Sequence, residues 1–170
     1  MNIKIISDST CDLSPAQLAE HDIELARLTV IKGGEPFTDG ITITPADIFA
    51  HVAAGGDLCS TTAINIQEYE ELFAKYSAEY DAVIHINIGS GFSSCYQNAR
   101  LAAEEFSNVY VIDSQNLSTG QGHVVLEACR LAKTCDNMAE IVEKLNEFTS
   151  RVEASFVLDQ LAYMAKGGRC

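Results

Sequence analysis

A chain of 170 residues that is 47% hydrophobic and 21% charged has ordinary globular composition and enough length for one well-buried domain. Eleven Lys and Arg against 24 Asp and Glu leave a net charge of −13. That field repels phosphate backbones, excludes sequence-independent nucleic-acid binding and favours a basic partner surface.

Residues 3–6 form a short β-rich run that ends in the turn and capping residues Ser7-Asp8-Ser9-Thr10. Ser14-Pro15 starts a helix that stops near His21, with a hydroxyl at the N-cap and proline at the first helical position. Residues 23–31 return to strand, and Lys32-Gly33-Gly34-Glu35 turns the chain. Thr44-Pro45 repeats the capped start for a short helix to Ala53. After the hydroxyl-rich stretch 59–65, residues 66–79 are predicted helical, with Glu68, Glu70 and Glu71 in the early turns, where the helix dipole favours acids.

Residues 82–88 are almost continuously apolar, the mark of a buried strand. The stretch 89–94 breaks it, and Ser93 is predicted to cap a helix running to Phe106. Residues 109–112 read as a further strand ending in Asp113-Ser114, with helices over 118–133 and 138–149. Residues 154–158 are expected as a last strand, with Asp159 capping a final helix that ends at Gly167-Gly168. Strand and helix alternating at this spacing predict an α/β fold, a parallel sheet with helices on both faces. Ligands of such sheets bind at the loops following the strands, and three of these loops are hydroxyl-rich, at 7–10, 60–65 and 90–94.

The loop 89–94 follows a strand and opens a helix, so its N–H groups and the positive helix end make an anion site. Gly89 and Gly91 leave room for a ligand beside the backbone. Three readings stay open. A dinucleotide-binding loop would want a third glycine where Ser94 stands, with Asp113 in the place of the ribose-binding acid. A hydrolase would make Ser93 a nucleophile in Gly91-Phe92-Ser93-Ser94-Cys95, although Cys95 replaces the second glycine and only His123 follows, in a predicted helix. A glycine turn with an ordinary serine cap needs no ligand.

Thr61 and Thr62, with Asn65 nearby, set neighbouring donors before a helix. They suit a carboxylate or phosphate; taken alone, they read as a capping threonine and an exposed neighbour. His85 in its strand reads as a satisfied core or edge histidine. No metal site and no cofactor are predicted, since no His, Cys or acid grouping has ligand spacing. Cysteines at 11, 59, 95, 129, 135 and 170 include no Cys-x-x-Cys pair, and no secretory leader or membrane span is evident, so a reduced, cytoplasmic protein is expected.

Four segments together resemble the DegV family of bacterial fatty-acid-binding proteins. They are Ser7-Asp8-Ser9-Thr10-Cys11-Asp12-Leu13, Ser90-Gly91-Phe92-Ser93-Ser94-Cys95-Tyr96-Gln97-Asn98-Ala99, Val111-Ile112-Asp113-Ser114 with Ser118-Thr119-Gly120-Gln121-Gly122, and Lys166-Gly167-Gly168-Arg169. Their order and spacing match the family over essentially the whole chain. The resemblance implies that residues 1–170 are the N-terminal α/β domain of a two-domain protein, cut near the domain junction.

It also implies a long-chain fatty acid whose carboxylate is held by hydroxyls of two loops while the tail enters an apolar tunnel. The family's Thr-Ser pair falls on Thr61 and Thr62, and its key serine on Ser93. The resemblance makes the chain a lipid-binding protein rather than an enzyme. It would present the carboxylate to a fatty-acid kinase that brings its own ATP and magnesium, with Arg169 contacting phosphate or partner. Two departures stand out: the family's Thr-Ser-Gln-Pro-Ser becomes Thr61-Thr62-Ala63-Ile64-Asn65, and Gly-Thr after the key serine becomes Ser94-Cys95. Thr62 preserves a hydroxyl donor.

Overall fold

The computed structural model describes residues 1–158 and 161–166. Its first half runs β1 (Ile3–Asp8), a 3-10 turn (Ser9–Cys11), α1 (Pro15–Glu20), β2 (Glu24–Ala26), β3 (Thr29–Lys32), β4 (Glu35–Thr38), α2 (Pro45–Ala53) and β5 (Ser60–Thr62). Then come α3 (Ile66–Ser77), β6 (Ala82–Asn87), α4 (Cys95–Ala103), β7 (Val109–Asp113), α5 (Ser118–Thr134), α6 (Met138–Thr149) and α7 (Ala162–Lys166). Two compact units result, Met1–Ala26 with Ala63–Ala154, and Arg27–Thr62 with the described residues from Ser155 on.

In the first unit, β1 pairs in parallel with β2 and β6, and β6 with β7, giving a four-stranded sheet in the order β2-β1-β6-β7. Every residue of β6 is buried, because side chains alternate between two covered faces. Ile84 and Ile86 join Val124, Val125 and Leu131 of α5 and Ile141 and Leu145 of α6 in one core. His85 points the other way, its ring 5.1 Å from Tyr69 and 5.4 Å from Phe73 of α3. Helices α3 and α4 pack on each other over that face. The parallel sheet with helices on both faces is thus present.

Helix starts follow local chemistry. Ser14 with Gln17, Thr44 with Asp47 and Asn65 with Glu68 each form a reciprocal capping box, and Pro15 and Pro45 occupy the first turns of α1 and α2.

The second unit holds an antiparallel sheet in the order β4-β3-β5, which the sequence reading did not anticipate. Gly33 and Gly34, at φ 61° and 87°, supply the two positive φ angles that a tight hairpin turn between β3 and β4 demands. The single strand expected over 23–31 is divided between the two sheets. Pairing with β1 ends at Asp8 opposite Ala26, so the chain has no neighbour there beyond Ala26 and leaves that edge. The strand expected at 154–158 does not form; those residues are exposed and unpaired with any strand. Asp159, Gly167 and Gly168 lie outside the described residues.

Candidate functional site

The loop from β6 to α4 emerges at the carboxyl ends of the parallel strands, where such sheets take their ligands. Its backbone is braced by the neighbouring loop after β7. The Gly89 N–H donates to the Asn116 carbonyl at 2.7 Å, and the Ser90 N–H donates to Asp113 Oδ1 at 3.0 Å. A Cβ on Gly89 would lie 2.8 Å from the Gln115 carbonyl carbon and 2.9 Å from the Asn116 nitrogen. The missing side chain at 89 therefore admits the 115–116 backbone rather than a ligand, which corrects the expectation for that glycine. Gly91 faces open space. Asp113 Oδ1 also accepts from the Gln115 N–H at 2.9 Å, so this oxygen braces the loop.

Ser93 is half-buried at the foot of this loop. The N-cap position of α4 is Ser94, whose side chain makes no capping bond; Ser93 Oγ instead accepts from the Cys95 N–H at 3.2 Å. The same hydroxyl donates to Cys95 Sγ at 3.1 Å. Neither His123, weighed as its base, nor His85 pairs with it. His123 lies in α5 with its ring 5.8 Å from Phe148, and His85 is committed to Asp8.

That second commitment belongs to a sealed polar cluster. Asp8, His85 and Asn87 are all inaccessible to solvent, on the α3 side of β1 and β6. Asp8 Oδ1 accepts from the Tyr69 hydroxyl at 2.7 Å and lies 3.2 Å from His85 Nε2. Asp8 Oδ2 accepts from Asn87 Nδ2 at 3.1 Å and from the Ile88 N–H at 2.9 Å. A buried carboxylate persists only when its lone pairs are filled in this way. Burial and the Asp8 charge push the Tyr69 hydroxyl far above the usual phenol range, with the neighbouring Cys95 adding to the shift. Burial, then the Asp8 charge, also raises the Cys95 thiol.

On the opposite face of β1, Ser7 Oγ donates to the Ile86 carbonyl at 2.9 Å and accepts from the buried Gln121 Nε2 at 3.0 Å. Thr10 Oγ1 completes this set, donating to Gln121 Oε1 at 2.8 Å. The stretch 7–10, expected as a turn and capping cluster, is thus the buried end of β1 with the turn beyond it. Tyr69, Asn87 and Gln121 were not singled out from the sequence. The available signal was polar side chains two apart, at His85 and Asn87, inside an apolar run.

Thr61 and Thr62 lie in β5, exposed, with Thr61 opposite Val30 and Thr62 opposite Thr29 of β3. Neither caps α3, whose N-cap is Asn65; this corrects the capping-threonine reading. They belong to the second unit and Ser93 to the first. Arg169 lies outside the described residues. Among the described residues no group of three or more His, Cys, Asp or Glu could hold a metal ion, and no helix is long and apolar enough to cross a membrane.

The sequence profile of the DegV family, a family of uncharacterised proteins, matches residues 2–170. The chain belongs to the DegV family. A DegV domain-containing protein of Clostridium acetobutylicum is 33% identical over 169 residues, covering 98% of this chain and 61% of the relative. The DegV protein of Bacillus subtilis is 30% identical over 172 residues, covering 99% and 61%. Solved structures agree in fold. A DegV family protein of Thermus thermophilus, described for its fatty-acid binding, superposes with a TM-score of 0.88 at 28% identity, over 99% of this chain and 61% of that one. DegV of Bacillus subtilis, described as a fatty-acid-binding protein, gives 0.87 at 28% identity with the same coverage. This DegV chain therefore spans about three fifths of the length of the relatives it matches.

Proposed function

We propose that this DegV chain binds a long-chain fatty acid by its carboxylate and presents that carboxylate to a fatty-acid kinase for acyl phosphate formation. The observation that carries the reading is Ser93, a half-buried hydroxyl at the start of α4, beyond the ends of the parallel strands. Its hydrogen rests on a thiol sulfur, a weak acceptor that it can leave for a carboxylate oxygen. The helix N-terminus adds favourable potential for an anion. Thr61 and Thr62, exposed in β5, are the other hydroxyl donors that the family pattern marks. Support comes from the relatives of like fold that are described as fatty-acid-binding.

Charge-assisted hydrogen bonds contribute roughly 1.5–3 kcal/mol each, whereas the tail contributes about 0.8 kcal/mol per buried CH₂. The tail dominates affinity and the hydroxyls fix orientation. The phosphoryl chemistry resides in the kinase, in the cytoplasm, with ATP and magnesium of its own. Arg169 is proposed to contact the phosphate or the partner, and the net charge of −13 favours a basic partner face. In this reading residues 1–170 correspond to the N-terminal α/β domain of the longer relatives.

The test is a titration with a fatty acid and with the primary alcohol of the same chain length. Wild-type protein prefers the acid, and Ser93→Ala and Thr62→Ala each lower that preference by about tenfold. Equal binding of both ligands by the wild type, or a Ser93-dependent esterase activity, contradicts the reading.

A further inference from the structure

The sealed cluster around Asp8 takes no part in the contacts proposed above, yet it holds the base of the loop that carries Ser93. Tyr69 has a single hydroxyl hydrogen, and it goes to Asp8 Oδ1 at 2.7 Å. The Tyr69 oxygen accepts from Asn87 Nδ2 at 3.1 Å, and both Tyr69 and Asp8 lie near enough to the Cys95 thiol to influence it. Cys95 Sγ in turn accepts the Ser93 hydroxyl hydrogen at 3.1 Å. A second line reaches the same loop through the backbone, since Asp8 Oδ2 holds the N–H of Ile88 at 2.9 Å, directly before Gly89.

This arrangement is poor as a brace alone. His85 Nδ1 and Asn87 Oδ1 are buried without hydrogen-bond partners, and each such orphan costs stability that an apolar packing of the same space would avoid. The donors are gathered on Asp8 instead of being shared evenly. Buried polar groups left unsatisfied in this way call for an explanation other than stability. Ser93 is the hydroxyl through which this set of residues reaches solvent.

We propose that Asp8 and Tyr69 are positioning residues for head-group recognition, acting through Cys95 and the 88–94 loop to set where the Ser93 hydroxyl stands. This rests on the fatty-acid reading above. The Ser93 hydrogen lies toward sulfur, and it can swing outward to a carboxylate from an oxygen that the Cys95 N–H keeps in place. The variant Tyr69→Phe removes one hydroxyl and keeps the ring that stacks on Phe73, and Cys95→Ala removes only the sulfur.

The experiment compares dissociation constants for oleic acid and oleyl alcohol on the full chain, with thermal melting of each variant in parallel. The inference predicts that Tyr69→Phe and Cys95→Ala each reduce the acid-over-alcohol preference by roughly fivefold, the worth of about one hydrogen bond, while alcohol binding stays within about twofold. A purely structural role would weaken both ligands together, and an unchanged ratio in both variants overturns the inference. Should Tyr69→Phe fail to fold, Cys95→Ala decides. A wild-type protein with no preference for the acid overturns the fatty-acid reading itself, which separates that failure from this one.

Discussion

The Tyr69 hydroxyl donates to the Asp8 carboxylate across 2.7 Å, between two side chains with no solvent exposure. Removing the charge there strands more than one group. Asn at position 8 would turn an amide toward donors from Tyr69, Asn87 or Ile88, so Asp8→Asn is expected to cost about 3–5 kcal/mol, as when one partner of a buried pair is lost. Urea unfolding measures it, and a loss below about 1 kcal/mol would show that the cluster repacks.

Gly89 tests the junction between the two loops. Alanine there places a methyl 2.8 Å from backbone of residue 115, a contact that no rotamer change can relieve. Gly89→Ala is expected to destabilise by about 1–3 kcal/mol and to weaken acid binding by displacing the loop. Gly91→Ala, with open space around the Cβ, should leave the melting temperature nearly unchanged.

Asp47 carries an acid-dependent contribution to α2. Its carboxylate accepts from the Thr44 hydroxyl at 2.6 Å and the Thr44 N–H at 2.8 Å, and these bonds hold its pKa below the usual Asp range. A depressed carboxylate stabilises the fold fully above its ordinary pKa and loses that contribution as pH falls through the depressed one. Wild type and Asp47→Asn should therefore differ in stability at pH 6 and converge below about pH 4. A difference that grows on acidification would reverse the assignment.

Cysteine labelling reads burial directly. Cys11, Cys95 and Cys129 are buried, and desolvation raises the first two thiols and pushes Cys129 up to about 11. Cys59 and Cys135 are half-exposed. Under native conditions iodoacetamide should modify Cys59 and Cys135 well before the buried three, since the thiolate is the reacting species. Early labelling of Cys95 would place Ser93 and its loop in a looser setting than the one described.

The parallel sheet was legible because β6 is apolar at every position but His85 and Asn87 and because Ser14-Pro15 and Thr44-Pro45 mark helix starts. Ser93 and the two threonines were legible as hydroxyls in loops, and the family resemblance gave them a role. The division of 23–31 between two sheets was not, since pairing beyond Ala26 depends on where β1 ends, a tertiary fact. The Asp8 cluster was hidden for the same reason: Tyr69 and His85 lie 61 and 77 residues from Asp8 along the chain. Gly89 was misread because a glycine needed for backbone contact and one needed for a ligand look alike in sequence.

Mass spectrometry of the organic extract from the purified chain, supplied with a long-chain fatty acid and then freed of unbound lipid, tests fatty-acid binding most directly. The account predicts close to one fatty acid per chain, and a much smaller amount in the Thr62→Ala, Ser93→Ala double variant. A wild-type extract without fatty acid, or one whose content is unchanged by the double variant, would contradict it.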